Sequence, residues 1–318
     1  VQIGPHAVAC LPRAPAGSSQ SPLAEEAMQA LAKGRGGATR PPAKGPKRPA
    51  RPAAAGARGV KRGGLKKKQP PAAWKADYPI IRRLRAGRDA PVDSVGCERL
   101  ADPRASQADF EWQCLVAAML SSQTKDQTNA EAMLALRAYG NTIHRIARAP
   151  VQRLDGLICK VGFHRVKANN LKAAANLILK RFGGRVPRTV EGLLALPGVG
   201  PKMAYLTLHS AFNQQDGLCI DTHVHRIANV LGWLRPRTKT PEDTRLALEA
   251  WLPKRHWGDI NVCLVGLGQM QQQASHKLID KCLQGRSPAT ALRLAARLGL
   301  RLRAGWHAGL DAACARRP

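Results

Sequence analysis

The sequence is short of acids. Against 51 Lys and Arg it carries 21 Asp and Glu, for a formal net charge of +30 at pH 7. That imbalance points to a polyanionic partner, because each cation that meets a phosphate releases a counterion. A solubility charge on a basic tail is the plainer alternative, and charge alone does not separate DNA from RNA or anionic lipid. Long apolar runs are missing too. None approaches the about 18 residues needed to cross a bilayer, so no membrane partner is expected. Alternating strand patterns of useful length are absent, which leaves an all-α class with short connections. The eight cysteines are scattered without close pairs. They read as free, mostly buried thiols in a reducing compartment. With 318 residues there is room for one or two domains and a tail. A chain that begins at Val1 rather than Met reads as a fragment or a processed form.

Residues 1–78 form an expected disordered basic tail. By count, residues 1–75 hold fifteen Lys or Arg but only two acids, Glu25 and Glu26. Apolar periodicity is nearly absent there, so burial cannot offset the entropy of ordering. Lys61-Arg62 and Lys66-Lys67-Lys68 fit a nuclear import signal or a DNA-binding arm. An acid-poor, Arg-containing start also fits an organelle transit peptide, so nucleus leads, with mitochondrion or plastid as alternatives. From Tyr78 the pattern turns helical, as in Phe110, Cys114, Leu115, Ala118 and Met119. Thr124 is placed to cap a helix that stops near Gly140, and Val166 to Phe182 reads as another. Thr240-Pro241-Glu242-Asp243 is a helix start with cap, proline and early acids. Beyond Gly268 a Gln run gives way to Arg293, Arg297, Arg301 and Arg303 in an Ala/Leu background. Residues 269–318 therefore read as a divergent basic segment: one amphipathic helix, or sequence under little constraint.

The chemistry concentrates in 196–221. Leu196-Pro197-Gly198-Val199-Gly200-Pro201-Lys202 places a tight turn at a helix start. Gly198 and Gly200 are expected to adopt backbone conformations closed to other residues. The amides of Gly198, Val199 and Gly200, with the helix N-terminus, suit a phosphate. A bare Gly-x-Gly is more often an ordinary turn; the flanking helices, the proline and the basic chain favour DNA. Lys202 has two readings: a surface lysine that touches phosphate, the default, or, at a helix start near other cations, an amine that loses proton affinity and acts as a nucleophile. Asp221 caps the next helix, and a carboxylate beside the lysine also stabilises positive charge and handles a proton. His223 and His225 sit two apart and share no helix face, so no metal site is expected. They read as packing or phosphate-contact residues.

Together these residues resemble the endonuclease III family of DNA glycosylase/AP lyases. The likeness runs from about Arg82 to Gly268. It rests on Leu120-Ser-Ser-Gln-Thr-Lys-Asp126, on Leu196 to Ala204, on Ile220-Asp-Thr-His-Val-His-Arg226, on Trp251-Leu252-Pro253 and on Val265-Gly266-Leu267-Gly268-Gln269. The resemblance implies a two-domain helix-hairpin-helix DNA glycosylase fold. One domain would span 105–215, the other 79–104 with 216–268, and damaged duplex DNA or an abasic site would lie between them. It implies Lys202 and Asp221 as catalytic residues and Gln123 as the filler of the gap left by a flipped base. Gly198, Val199, Gly200, Thr222 and His223 would contact DNA. The activity implied is bifunctional: removal of oxidised pyrimidines such as thymine glycol, then β-elimination, by a monomer in base excision repair. Lys202 separates such enzymes from the related adenine glycosylases.

The chain departs from the family after Gln269. Relatives carry four cysteines there, spaced C-x6-C-x2-C-x5-C, for a [4Fe–4S] cluster. Here only Cys282 and Cys314 follow, with Cys263 before them. No cluster, and no other metal or cofactor, is expected in this chain. Either it is a clusterless member, or its C-terminus is a shifted reading of the gene. A catalytically impaired DNA-binding paralogue and a glycosylase for other bases are the alternatives in function.

Overall fold

A computed structural model of the chain describes residues 69–300. The basic tail up to 68, its targeting runs, and Arg301, Arg303 and Cys314 lie outside the described residues. Among the described residues every regular element is helical: fourteen α-helices and two 3-10 turns. The all-α class is what the structure has.

Two separate hydrophobic cores organise these helices. The first takes in α3 (Gln107–Leu120), α4 (Asp126–Tyr139), α5 (Ile143–Arg148), α6 (Val151–Leu157), α7 (His164–Arg181), α8 (Val190–Leu194) and α9 (Pro201–Phe212). Trp112, Leu115, Leu120, Met133, Leu136, Leu154, Leu171 and Ile178 fill it. The second core joins chain ends far apart in sequence. It combines α1 (Ala72–Leu84) with α10 (Thr222–Val230), α11 (Pro241–Glu249) and α12 (Trp257–Gln273) around Tyr78, Ile81, Val224, Trp233, Leu248 and Leu264.

Helix starts follow the sequence closely. Ser106, Thr142, Thr189 and Thr240 each accept a hydrogen bond from the backbone amide three residues on, satisfying an otherwise orphaned donor. Thr240 and Asp243 complete a reciprocal capping box. Three expectations need correction. Helix α1 begins at Ala72, inside the segment assigned to the tail, and buries Trp74 and Tyr78. Pro79 within the helix obscured its apolar periodicity. Thr124 is not the cap of α4; Lys125 holds that position, and the Thr124 hydroxyl donates to Ser122 O (3.1 Å).

Residues 269–300 are neither one amphipathic helix nor sequence under little constraint. Helix α12 runs on through Gln269 to Gln273, then α13 (Ser275–Gln284) and α14 (Pro288–Arg297) follow. Leu278, Ile279, Cys282, Leu292, Leu294 and Ala295 are buried in the second core. Their helical spacing was hidden behind the more conspicuous arginines. Arg297 donates to Asp77 Oδ1 (2.7 Å) and Leu231 O (2.6 Å), tying α14 to both α1 and the end of α10.

Candidate active site

Helix α8, the turn Leu196–Gly200 and α9 form a helix-hairpin-helix. Val199 N donates back to Leu196 O (3.2 Å), closing the turn. Gly198 has φ +79°, a left-handed conformation that side chains rarely adopt, and a Cβ there would meet Asn170 Nδ2 of α7 at 2.4 Å. Its glycine is required twice, by conformation and by packing. Gly200 differs from expectation. It is extended (φ −106°, ψ 175°), and a Cβ would meet no protein atom within 4 Å. The protein itself does not demand glycine at 200; open space lies there, beside the unsatisfied first amides of α9.

Lys202 stands in the first turn of α9, half-buried. Its ammonium donates to Ser121 Oγ (3.1 Å), at the C-terminal end of α3. Cys97, Cys219, Asp221 and Asp126 surround it. Burial works against the charge, but these neighbours outweigh it and hold the Lys202 pKa above the ordinary lysine value. Sequence reasoning expected a depressed value. Cys97, Cys219 and the two carboxylates act from elsewhere in the sequence and meet Lys202 only on folding. The resting amine is therefore stored as an ammonium, with acceptors at hand.

Asp221 caps α10, its Oδ1 accepting from Val224 N at 2.8 Å. That bond fixes the carboxylate beside Lys202. Asp126, at the first position of α4, faces the same lysine and was missed as a site residue. Burial raises its pKa, and Gln269 Nε2 donates to its Oδ2 (2.6 Å). Gln269 Oε1 also accepts from Val92 N (2.9 Å), in the helix α2 (Pro91–Val95). One glutamine thus spans the two cores beside the site. The only sequence signal was the Asp ending the Leu120–Asp126 stretch.

Gln123 is exposed, with a left-handed backbone at φ +50°. Beside it, Phe163 is also left-handed (φ +58°) and 63% exposed. Gln123, Phe163, Val166, Lys167, Asn170 and Gly198 line one groove. An exposed aromatic at a strained turn is a feature that composition did not reveal. Thr222 is exposed. His223 is half-buried against Gly268, where a Cβ would meet its Nδ1 at 2.3 Å. His225 Nδ1 pairs with Thr244 Oγ1 at 2.6 Å, a packing role. The two histidines share no partner.

A [4Fe–4S] cluster takes four cysteine thiolates. Among the described residues from Cys263 onward only Cys263 and Cys282 are cysteines, so the residues present do not supply that ligand set. Among the described residues, no group of three or more His, Cys, Asp or Glu is placed to hold a metal ion.

An all-helical fold whose hairpin presents a lysine beside a capping aspartate defines the helix-hairpin-helix class of DNA repair proteins. A family model of the HhH-GPD superfamily base excision DNA repair proteins matches residues 116–254. Endonuclease III-like protein 1 of Gallus gallus is 43% identical over 223 residues, covering 70% of this chain and 79% of the relative. Endonuclease III-like protein 1 of Bos taurus is 48% identical over 199 residues, covering 63% of this chain and 65% of the relative. The chain belongs to the endonuclease III family, a family of DNA glycosylase/AP lyase enzymes. The fold is also that of a solved non-covalent endonuclease III–DNA complex, with a TM-score of 0.57 at 24% identity over 72% of this chain and 97% of that one.

Proposed function

We propose that the chain is a bifunctional DNA N-glycosylase and AP lyase that removes oxidised pyrimidines, such as thymine glycol, in base excision repair. The observation that carries this reading is the half-buried Lys202 amine at the hairpin helix start, with Asp221 and Asp126 around it.

In this mechanism the open space at Gly200 and the first amides of α9 receive a backbone phosphate. Gln123 and Phe163 enter the stack as the damaged nucleotide swings out. The damaged base costs less to unstack than an intact one, which favours its selection. Lys202 must first lose its proton to a neighbouring carboxylate. Asp126, whose pKa burial raises, is the acceptor, and the Asp221 carboxylate stabilises developing positive charge on the sugar. The amine nitrogen then bonds to C1′ while the C1′–N bond breaks and its electron pair leaves with the base, which takes up a proton. Ring opening gives a protonated imine between Lys202 and the sugar. That imine acidifies the C2′ proton. Its removal expels the 3′ phosphate oxygen and nicks the strand, and water then hydrolyses the imine to free the lysine. Lys202, Asp221, Gln123, Gly198, Val199 and Gly200 are the working residues, with Thr222 and His223 at the margin. The enzyme works as a monomer, in the nucleus by its basic runs, and without an iron–sulfur cluster.

Borohydride trapping on thymine-glycol duplex tests the reading. A covalent adduct with the wild-type protein and none with Lys202→Ala is expected. No wild-type adduct, or an adduct with Lys202→Ala, overturns it. Stoichiometric iron with visible cluster absorbance in the pure protein overturns the clusterless assignment.

A further inference from the structure

Lys167, on α7, takes no part in the mechanism above, yet it is 7% exposed. Its ammonium donates to Leu120 O (2.8 Å), Ser122 O (2.6 Å) and Thr124 Oγ1 (3.1 Å). All three of its N–H donors are thereby used, and all on one five-residue stretch. One acceptor, Leu120 O, is the last carbonyl of α3 and belongs to the group that a helix leaves without partners, at its negative end; Ser122 O lies two residues further on, in the turn. The buried cation is set against the dipole of α3 rather than against a carboxylate. It does the work that a left-handed glycine cap does elsewhere.

Gln123 lies between those acceptors. Its left-handed backbone, φ +50°, costs energy for a residue with a side chain. A second brace comes from the other side. A Cβ on Gly162 would sit 2.4 Å from Gln123 O, so the chain before α7 runs against the Gln123 carbonyl. The same helix supplies Asn170, packed on Gly198 of the hairpin. Helix α7 therefore backs both the turn that presents Gln123 and the turn that presents the phosphate-binding amides.

We propose that Lys167 is a positioning residue: it locks the Leu120–Thr124 turn so that Gln123 can be driven into the DNA stack without the turn giving way. The proposal rests on the glycosylase reading for its context, but its physical content is a preformed wedge. A side chain pushed between stacked bases is loaded along its own axis. A turn with free carbonyls and a strained residue would relax under that load. The ammonium makes three simultaneous contacts, which converge only in the observed turn. Burial and the nearby Lys202 ammonium lower the Lys167 pKa to about 8, so the three-donor ammonium is the main form at neutral pH and is lost above about pH 8.

The test separates wedge insertion from chemistry. A duplex with 2-aminopurine opposite a tetrahydrofuran abasic analogue reports unstacking by fluorescence and needs no catalysis. Wild-type protein should raise the signal on binding, and Lys167→Met should bind the duplex with little or no rise. In single-turnover assays, the ratio of base release to strand cleavage at a preformed abasic site should fall about tenfold or more in Lys167→Met, because base release must unstack a base and cleavage at the abasic site has none to unstack. Thr124→Val removes one acceptor and keeps the lysine, so it decides the matter if Lys167→Met does not fold. Its ratio should fall about twofold to tenfold. A full fluorescence rise in the folded variants, or an equal loss of both steps, overturns the positioning role. A wild-type rise without any borohydride adduct would instead leave the wedge standing and remove the lyase reading.

Discussion

Asp221 has two roles in the proposed reaction, and they separate cleanly on substitution. As a cap, its Oδ1 accepts from Val224 N at 2.8 Å, satisfying an orphan amide of α10. Asparagine caps as well as aspartate, whereas alanine costs about 1 kcal/mol. For a fold of this size, that is a fall of about 2–4 °C in Tm. As a charge, the carboxylate stabilises the positive sugar in the transition state, and neither replacement can do so. Loss of such a group is worth about a 100- to 10,000-fold fall in rate, or about 3–5 kcal/mol. Asp221→Asn should therefore keep the wild-type Tm and lose base release, while Asp221→Ala loses both. Thermal unfolding and single-turnover release from thymine-glycol duplex measure the two effects on the same protein. If Asp221→Asn releases base within threefold of wild type, the charge has no catalytic part and Asp221 is a cap only.

The Lys202 proton is held above the ordinary lysine value, so the reactive amine is scarce at neutral pH. Because that proton passes to Asp126 without leaving the site, wild-type adduct formation should vary little with pH around neutrality; Asp126→Asn removes the acceptor, so its borohydride adduct formation should rise about tenfold per pH unit from pH 6 upward until another group limits it, and a flat profile in that variant would contradict the stored ammonium. Gly198→Ala should destabilise the fold by about 1–3 kcal/mol, since it meets both a left-handed φ and Asn170. Gly200→Ala, by contrast, meets no protein atom within 4 Å. It should leave denaturant stability within about 0.5 kcal/mol of wild type and still weaken DNA binding, as read by fluorescence anisotropy. Lys167 titrates near 8 when folded and near the ordinary lysine value when unfolded. The unfolded chain then binds more protons between those values, so this residue makes stability rise with pH from about 8 to about 10.5, a slope that Lys167→Met should lack in urea titrations. Leu292→Ala, in the buried face of α14, should cost about 2–5 kcal/mol in the same titrations.

Local signals carried much of the fold. The caps at Ser106, Thr142, Thr189 and Thr240 depend on side chains bonding amides three residues away, and such contacts are written in the sequence. The hairpin was legible for the same reason: a turn needs its glycine wherever the turn occurs. What surrounds Lys202 was not legible. Ser121 and Asp126, Cys97, and Cys219 come from three other stretches of chain, and only packing brings them to one amine. The sign of the Lys202 pKa shift depends on that gathering, so reasoning from its helix position alone reached the opposite direction. Lys167 was invisible on similar grounds. In sequence it is one more lysine in a basic chain; its three acceptors lie 43 to 47 residues earlier.

Among the described residues, the C-terminal helices close the second core through distributed contacts. Helices α13 and α14 bury Leu278, Ile279, Leu292, Leu294 and Leu298, and each such side chain contributes about 1.5–3 kcal/mol of apolar transfer. Polar ties then set the register. Arg297 reaches Asp77 and the Leu231 carbonyl, Lys281 reaches Asp89 (2.8 Å), and Gln271 bonds the Leu298 carbonyl. Surface ion pairs alone stabilise little, but these reach back about 190 to 220 residues and select one docking from many. Because α12 carries Gln269 to Asp126, the same packing extends to the lysine site. The order of the helices after Gln273 therefore bears on the surroundings of Lys202 through α12.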